Sequence, residues 1–288
     1  MRLFLLVTLA LLALPASAQT GEDVLRYAQR EPAVGSRLSG MAGAAVGGVG
    51  AWGGVYANPA GLGLVRRSQV AGALSGIAVE EEAAYFGDTF DADAGAVALG
   101  TAAYVAKVPT LRGRLVFGIG YDQVAAYERE ALFAGVNPRA EDLDGVGPLR
   151  QFGEVAEEGQ RGRLTLAGAV EVAPAVLAGL AVNIEVGEYE FRQLLDEEYL
   201  DGGLAFQTDD LLSADLRGAN LRGGLTAEVA PGVRLGAAVE TPTILRVEEA
   251  FGLGSDAAGT DYFDYTITTP WRLAAGLAYA NAGFLLTA

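Results

Sequence analysis

The chain contains neither cysteine nor histidine. Without cysteine there is no disulfide framework, no lipid-modified N-terminal cysteine and no thiolate metal site. Without histidine the commonest general base and metal ligand is missing, together with every Ser-His and Cys-His triad. The expectation is a protein that is not an enzyme, with no cofactor and no metal. Positive charge is scarce too: 20 Lys and Arg face 36 Asp and Glu, a formal charge of −16. No compact Lys/Arg cluster offsets it along the sequence, which opposes nucleic acid as a partner. Beyond the N-terminus no run of 18 or more strongly apolar residues occurs, so an inner-membrane helical protein is not expected.

Residues 1–18 have the pattern of a secretory signal: Arg2, the apolar run Leu3 to Leu14, then Pro15 and Ala16-Ser17-Ala18. Behind it, Leu38 to Leu64 carries no charge, yet nine of its 27 residues are glycine. Each glycine costs about 1 kcal/mol against alanine in a helix interior, so this segment is not a membrane helix and needs a surrounding structure to hold it.

From about Arg67 the apolar pattern has period two. Leu115, Phe117, Ile119 and Tyr121 alternate with Val116, Gly118, Gly120 and Asp122, and similar alternation runs over Arg163 to Val172, Ala219 to Val229 and Val233 to Glu240. In Pro270 to Ala280, Trp271, Leu273, Leu277 and Tyr279 share one face. Links near 87–93, 133–159, 193–213 and 251–261 read as long polar loops, whereas those near 108–113, 173–175, 230–232 and 280–282 are short. That rhythm predicts an all-β, transmembrane, antiparallel up-and-down barrel rather than a soluble sandwich. Glu171 to Val182 (EVAPAVLAGLAV) and Glu228 to Val239 (EVAPGVRLGAAV) read as one turn used twice. The inner faces are mostly Gly and Ala, leaving room for the N-terminal segment.

The order Arg37, Gly40-Met41-Ala42-Gly43-Ala44, then Asn58-Pro59-Ala60-Gly61-Leu62 resembles the FadL/TodX family of outer-membrane transporters for long-chain fatty acids and hydrocarbons. That resemblance implies an N-terminal hatch inside a fourteen-stranded barrel, with Arg37, Gly40, Gly43, Asn58, Pro59 and Ala60 as its motif. Two departures stand out. The spacer Ala45 to Ala57 has no acidic residue, and only about eight or nine strands are present, so the chain reads as C-terminally truncated. The expected organisation is a signal over 1–18, a hatch over 19–66 and barrel strands over 67–288.

Asn58 and Pro59 also suit the start of a helix, as N-cap and N1. Arg37 either pairs with an inward carboxylate such as Asp122, Glu171 or Glu185 or stays solvated. Leu194, Leu195, Tyr199, Leu200 and Phe206 lie in a predicted outer loop that could capture a hydrophobic substrate, with a local packed helix as the alternative. Acidic clusters such as Glu80-Glu81-Glu82 read as solvated loop charge, with divalent ions as the alternative. Around Gly187 the apolar residues pass from even to odd numbers, which predicts a bulge or kink that could open the wall toward lipid. The expected role is passive uptake of a hydrophobic small molecule by a monomer in the bacterial outer membrane, in contact with its lipid and lipopolysaccharide. A non-transporting barrel serving assembly or secretion is the alternative, and an exported soluble sandwich the third reading.

Overall fold

The computed structural model describes residues 21–29, 33–142, 145–253, 259–281 and 284–288. The expected signal over 1–18 lies outside them. Twelve strands form one antiparallel sheet curled into a half-barrel, with little helix. Its edges are β1 (Gln69–Tyr85) and β12 (Leu285–Thr287). Among the described residues no helix is long and apolar enough to cross a membrane.

Several strands are pieces of one passage. After β2 (Asp88–Val108), β3 (Leu115–Ala126) and β4 (Arg129–Asp142) both pair with β5 (Gly145–Ala173). Next come β6 (Val176–Tyr199), β7 (Leu204–Ala230) and β8 (Val233–Glu240). The passage of β8 continues past Pro242 as β9 (Ile244–Leu253), and β10 (Asp261–Thr268) continues past Pro270 as β11 (Arg272–Ala280). Proline donates nothing to a ladder, so a strand breaks where it stands. Counted as passages, the twelve strands make eight full crossings and the start of a ninth, in line with the sequence count.

The repeated motif does form one turn built twice. Ala175 and Gly232 both take positive φ, 64° and 77°. In each turn a glutamate four residues back accepts the backbone N–H, Glu171 from Ala175 at 3.3 Å and Glu228 from Gly232 at 3.2 Å.

At the opposite end the expected long loops near 87–93, 133–159 and 193–213 are not loops. They are hairpin arms that stay paired almost to their tips; β6, for example, pairs with β7 from Val176 through Glu198. In the link near 251–261, residues 251–253 and 261 are in strands, and 254–258 lie outside the described residues.

Exposure along β6 explains why. Leu180, Val182, Ile184 and Val186 are exposed, and Ala181, Asn183 and Glu185 are buried. Beyond Gly187 the even positions remain exposed, but they are now Glu188, Glu190 and Arg192, while the inner positions become Tyr189 and Phe191. On β7 the same change falls at Gly218, with exposed Leu221 and Leu225 on one side of it and exposed Asp215 and Arg217 on the other. The chemistry of each face inverts while its direction is unchanged. Pairing through Gly187 is unbroken on both sides, Arg161 opposite it on β5 and Leu216 on β7. The predicted kink there is therefore absent.

The sheet thus has two zones. In the lower zone large apolar side chains face outward and small or polar ones inward. Leu164 to Val172 on β5 is eight steps of about 3.3 Å, or roughly 20 Å of height at a tilt of about 40°. In the upper zone the outer face is charged, and the inner face carries an apolar cluster that includes Tyr127, Tyr189, Leu216, Leu245 and Val247.

Candidate functional site

The inner face of the lower zone is covered by residues 33–65. Short helices at Gly35–Ser39 and Gly54–Ala57 and a 3-10 turn at Pro59–Leu64 carry this segment across the wall. Trp52, Val55, Leu62 and Val65 pack with Ala103, Val105, Val116 and Ala167. Wall glycines make the approach possible. A Cβ on Gly118 would stand 2.8 Å from the Trp52 ring, and one on Gly224 would collide with the Asn58 side chain.

Asn58 is fully buried. Its Oδ1 accepts the Ala60 N–H at 3.0 Å, capping the 3-10 turn with Pro59 in the first position, where a missing donor costs nothing. Its Nδ2 lies 2.7 Å from the Val46 carbonyl, 3.0 Å from that of Leu225 and 3.2 Å from Thr226 Oγ1. One amide thus ties the turn, an earlier part of the segment and β7 together.

Trp52 Nε1–H donates to Asp122 Oδ2 at 2.9 Å, and Thr101 Oγ1–H donates to Oδ1 of the same carboxylate at 2.8 Å. The Tyr56 ring lies between two guanidinium groups, 5.2 Å from Arg163 and 5.1 Å from Arg222. Those arginines are themselves paired, Arg163 with Glu185 and Arg222 with Glu240. Arg161, 3.3 Å from Glu185, donates to the carbonyls of Tyr27, in the last turn of the helix Gly21–Ala28, and Gln29, just beyond it. A polar ladder then crosses the wall. Thr165 donates to Asn183 at 2.8 Å, Asn183 to Asn220 at 2.7 Å and Asn220 to Thr243 at 2.7 Å. Buried polar groups joined this way strengthen one another.

Beside the segment the wall has a framed gap. β2 pairs with β3 only from Thr101 opposite Asp122 down to Val108 opposite Leu115. Above that sill, β2 stays with β1 and β3 with β5. The frame closes higher up, where Arg129 grips both oxygens of Glu81 at 2.7 and 2.8 Å and the Tyr85 hydroxyl reaches Gln151. A cavity of about 340 Å³ lies there, lined by Ile77, Ala96, Ala98, Gln123, Ala126 and Gln160 among others.

Of the residues singled out in the sequence, Asn58, Pro59 and Ala60 come together against the wall. Gly40 closes the helix Gly35–Ser39, and Gly43 takes φ 79° in the turn that follows. Arg37 is exposed, and among the described residues no carboxylate pairs with it. Asp122, Glu171 and Glu185 are engaged instead by Trp52, Arg114 and Arg161 with Arg163.

The five residues assigned to a capture loop do not form one. Leu194, Leu195 and Tyr199 are in β6 and Phe206 is in β7, with only Leu200 at the turn. Neighbouring strand residues such as Leu194 and Leu195 point to opposite faces, so these side chains do not line a common groove. The gap between β2 and β3 went unseen because its cause is strand pairing, which leaves no mark in side-chain periodicity.

Among the described residues no group of three or more acidic side chains is placed to hold a metal. In the upper zone, burial pushes the Glu249 carboxyl above the usual glutamate range, partly opposed by a hydrogen bond from the Tyr265 hydroxyl at 2.9 Å. Comparison with protein-family models, with curated proteins and with solved structures finds no match.

Proposed function

We propose that this chain is the wall and hatch of an outer-membrane β-barrel that passively admits a hydrophobic small molecule, of the long-chain fatty-acid or hydrocarbon class. One observation carries the reading: the half-barrel is inverted relative to a water-soluble fold. Its lower outer face exposes a continuous apolar belt including Leu166, Val182, Leu221 and Leu273, while Arg163, Glu185, Asn183 and Arg222 are buried behind it. Monomers in water rarely expose apolar patches of that extent, and lipid is the solvent that suits one. The resemblance of residues 37–62 to the FadL/TodX hatch adds the cargo class.

In this reading residues 33–65 are the hatch, and the β2/β3 gap replaces Gly187 as the place where the wall lets cargo through. Asp122 belongs to both, since it holds Trp52 of the hatch and, with Thr101, forms the sill of the gap. Displacing the hatch therefore disturbs the sill. No covalent step is involved.

Close packing of the hatch favours a second reading, a barrel of the same form that anchors an assembly partner and passes nothing. Reconstitution separates the two. Vesicles containing the full chain and an entrapped fatty-acid indicator should equilibrate faster than protein-free vesicles, and Asn58→Ala, which loosens the hatch, should accelerate them further. Rates equal to protein-free vesicles for both proteins would remove transport and leave the scaffold.

A further inference from the structure

The sequence shows no compact basic cluster, but the fold assembles one. Six cations from distant parts of the chain, Arg37, Arg66, Arg67, Lys107, Arg114 and Arg234, line two adjoining cavities at the mouth of the half-barrel beside the turns at Ala175 and Gly232. The cavities measure about 1030 and 610 Å³ and share Leu64, Val65, Arg66 and Arg234. Among their lining residues Glu228 is the one acid; it accepts the Gly232 N–H and stands opposite Arg234, whose charge it partly offsets. Arg114 leans on Glu171 at 3.6 Å. Lys107 donates to the Arg66 carbonyl at 3.2 Å, and among the described residues no carboxylate pairs with it. Nε of Arg234 is buried without a hydrogen-bond partner among the described residues. Like charges gathered in this way repel one another, in a chain whose formal charge is −16. Leu64, Val65 and Tyr279 provide apolar surface in the same mouth.

We infer that this mouth binds the oxyanion headgroup, carboxylate or phosphate, of an amphiphile whose chain lies against Leu64, Val65 and Tyr279. Guanidinium groups suit both anions because their paired N–H donors match two oxygens at once. Six cations around one opening focus positive potential there. The inference adds a headgroup site to the transport reading and is tested by a separate measurement.

The test is equilibrium dialysis on the full chain in an uncharged detergent, comparing dodecanoate and a short-chain phosphatidylglycerol with the uncharged dodecanol. At least one anion should bind about tenfold more tightly than dodecanol, the scale of one well-made charge contact. In Arg66→Gln/Arg234→Gln that preference should fall to near unity while dodecanol binding is unchanged. Lys107→Gln/Arg114→Gln, on different strands, should lower it in the same sense and serves if the first variant fails to fold. Preference for dodecanoate assigns a free carboxylate, and preference for phosphatidylglycerol a membrane lipid. Equal binding of all three ligands, or an anion preference that survives in a folded variant, would overturn the site. Loss of dodecanol binding alone would count against the transport reading and leave the headgroup site standing.

Discussion

The indole N–H of Trp52 meets the Asp122 carboxylate at 2.9 Å across 70 positions of sequence, behind a wall whose outer face is apolar. Asp122→Ala removes the acceptor shared by Trp52 and Thr101 and leaves two buried donors unsatisfied. The expected loss is about 2–4 kcal/mol, from roughly 1–3 for each orphaned group less what relaxation recovers. Asp122→Asn, which keeps one acceptor oxygen, should lose less. Urea midpoints in detergent micelles give the order.

Asn58→Ala deletes a turn cap and three contacts that span the segment and β7. A cost of about 2–3 kcal/mol follows from the cap and the stranded carbonyls together. Limited proteolysis should then cut between residues 35 and 64 at least tenfold faster, with the strands still intact. Unchanged cleavage would mean that the amide does not hold the segment.

Ala175 adopts φ 64° where the equivalent turn has Gly232 at 77°. A side chain in the left-handed region costs about 1–2 kcal/mol, of which part returns as added freedom in the unfolded chain. Ala175→Gly should therefore stabilise by about 0.5–1 kcal/mol, and Gly232→Ala should destabilise by at least as much. Thermal midpoints of the two variants should move in opposite directions.

Glu249 lies in the upper zone, above the apolar belt, where burial raises its carboxyl pKa. The folded state therefore holds this proton more tightly than the unfolded state. The contribution to stability is fully present below the unfolded value of about 4.3 and is lost as pH rises through the higher folded value. Glu249→Gln, which can still accept from Tyr265, should be the more stable protein at pH 7, and the difference should vanish below about pH 4. Unfolding followed at both pH values checks the sign.

The chain has two tryptophans, Trp52 buried and Trp271 exposed at the margin of the belt. In Trp52→Phe all indole fluorescence comes from Trp271. Brominated lipids should quench it, most strongly when the bromines lie near the headgroup, as for an aromatic at a membrane interface. No quenching at any bromine depth would contradict membrane insertion.

The strands were legible because Leu164, Leu166, Val170 and Val172 alternate with small or polar neighbours, and a pleated chain has no other use for period two. The repeated turn was legible in the two Glu-Val-Ala-Pro segments that start at Glu171 and Glu228, and the room for the N-terminal segment in Gly118 and Gly120. The upper hairpins were not. In Glu188-Tyr189-Glu190-Phe191 the alternation persists, but the outward residues are charged, so the stretch resembles a polar loop. Taking the large apolar residues always to mark one face turned an inversion of the chemistry of the two faces into a predicted kink at Gly187. The β2/β3 gap and the basic mouth depend on contacts between remote residues such as Thr101 with Asp122 or Arg66 with Arg234, which no local pattern announces.

The inversion at Gly187 also bears on how the chain reaches its form. In water the hydrophobic effect drives Tyr189, Phe191 and Leu216 inward, the direction they take in the folded protein. Below Gly187 it drives Leu180, Val182 and Ile184 inward as well, opposite to where they end up. A single strand is thus asked by water to twist against itself, and only the hairpin tips can reach their final packing in that solvent. If the outer-membrane reading proposed above holds, the part above Gly187 can assemble ahead of the membrane, whereas below it the wall waits for lipid to reverse the preference.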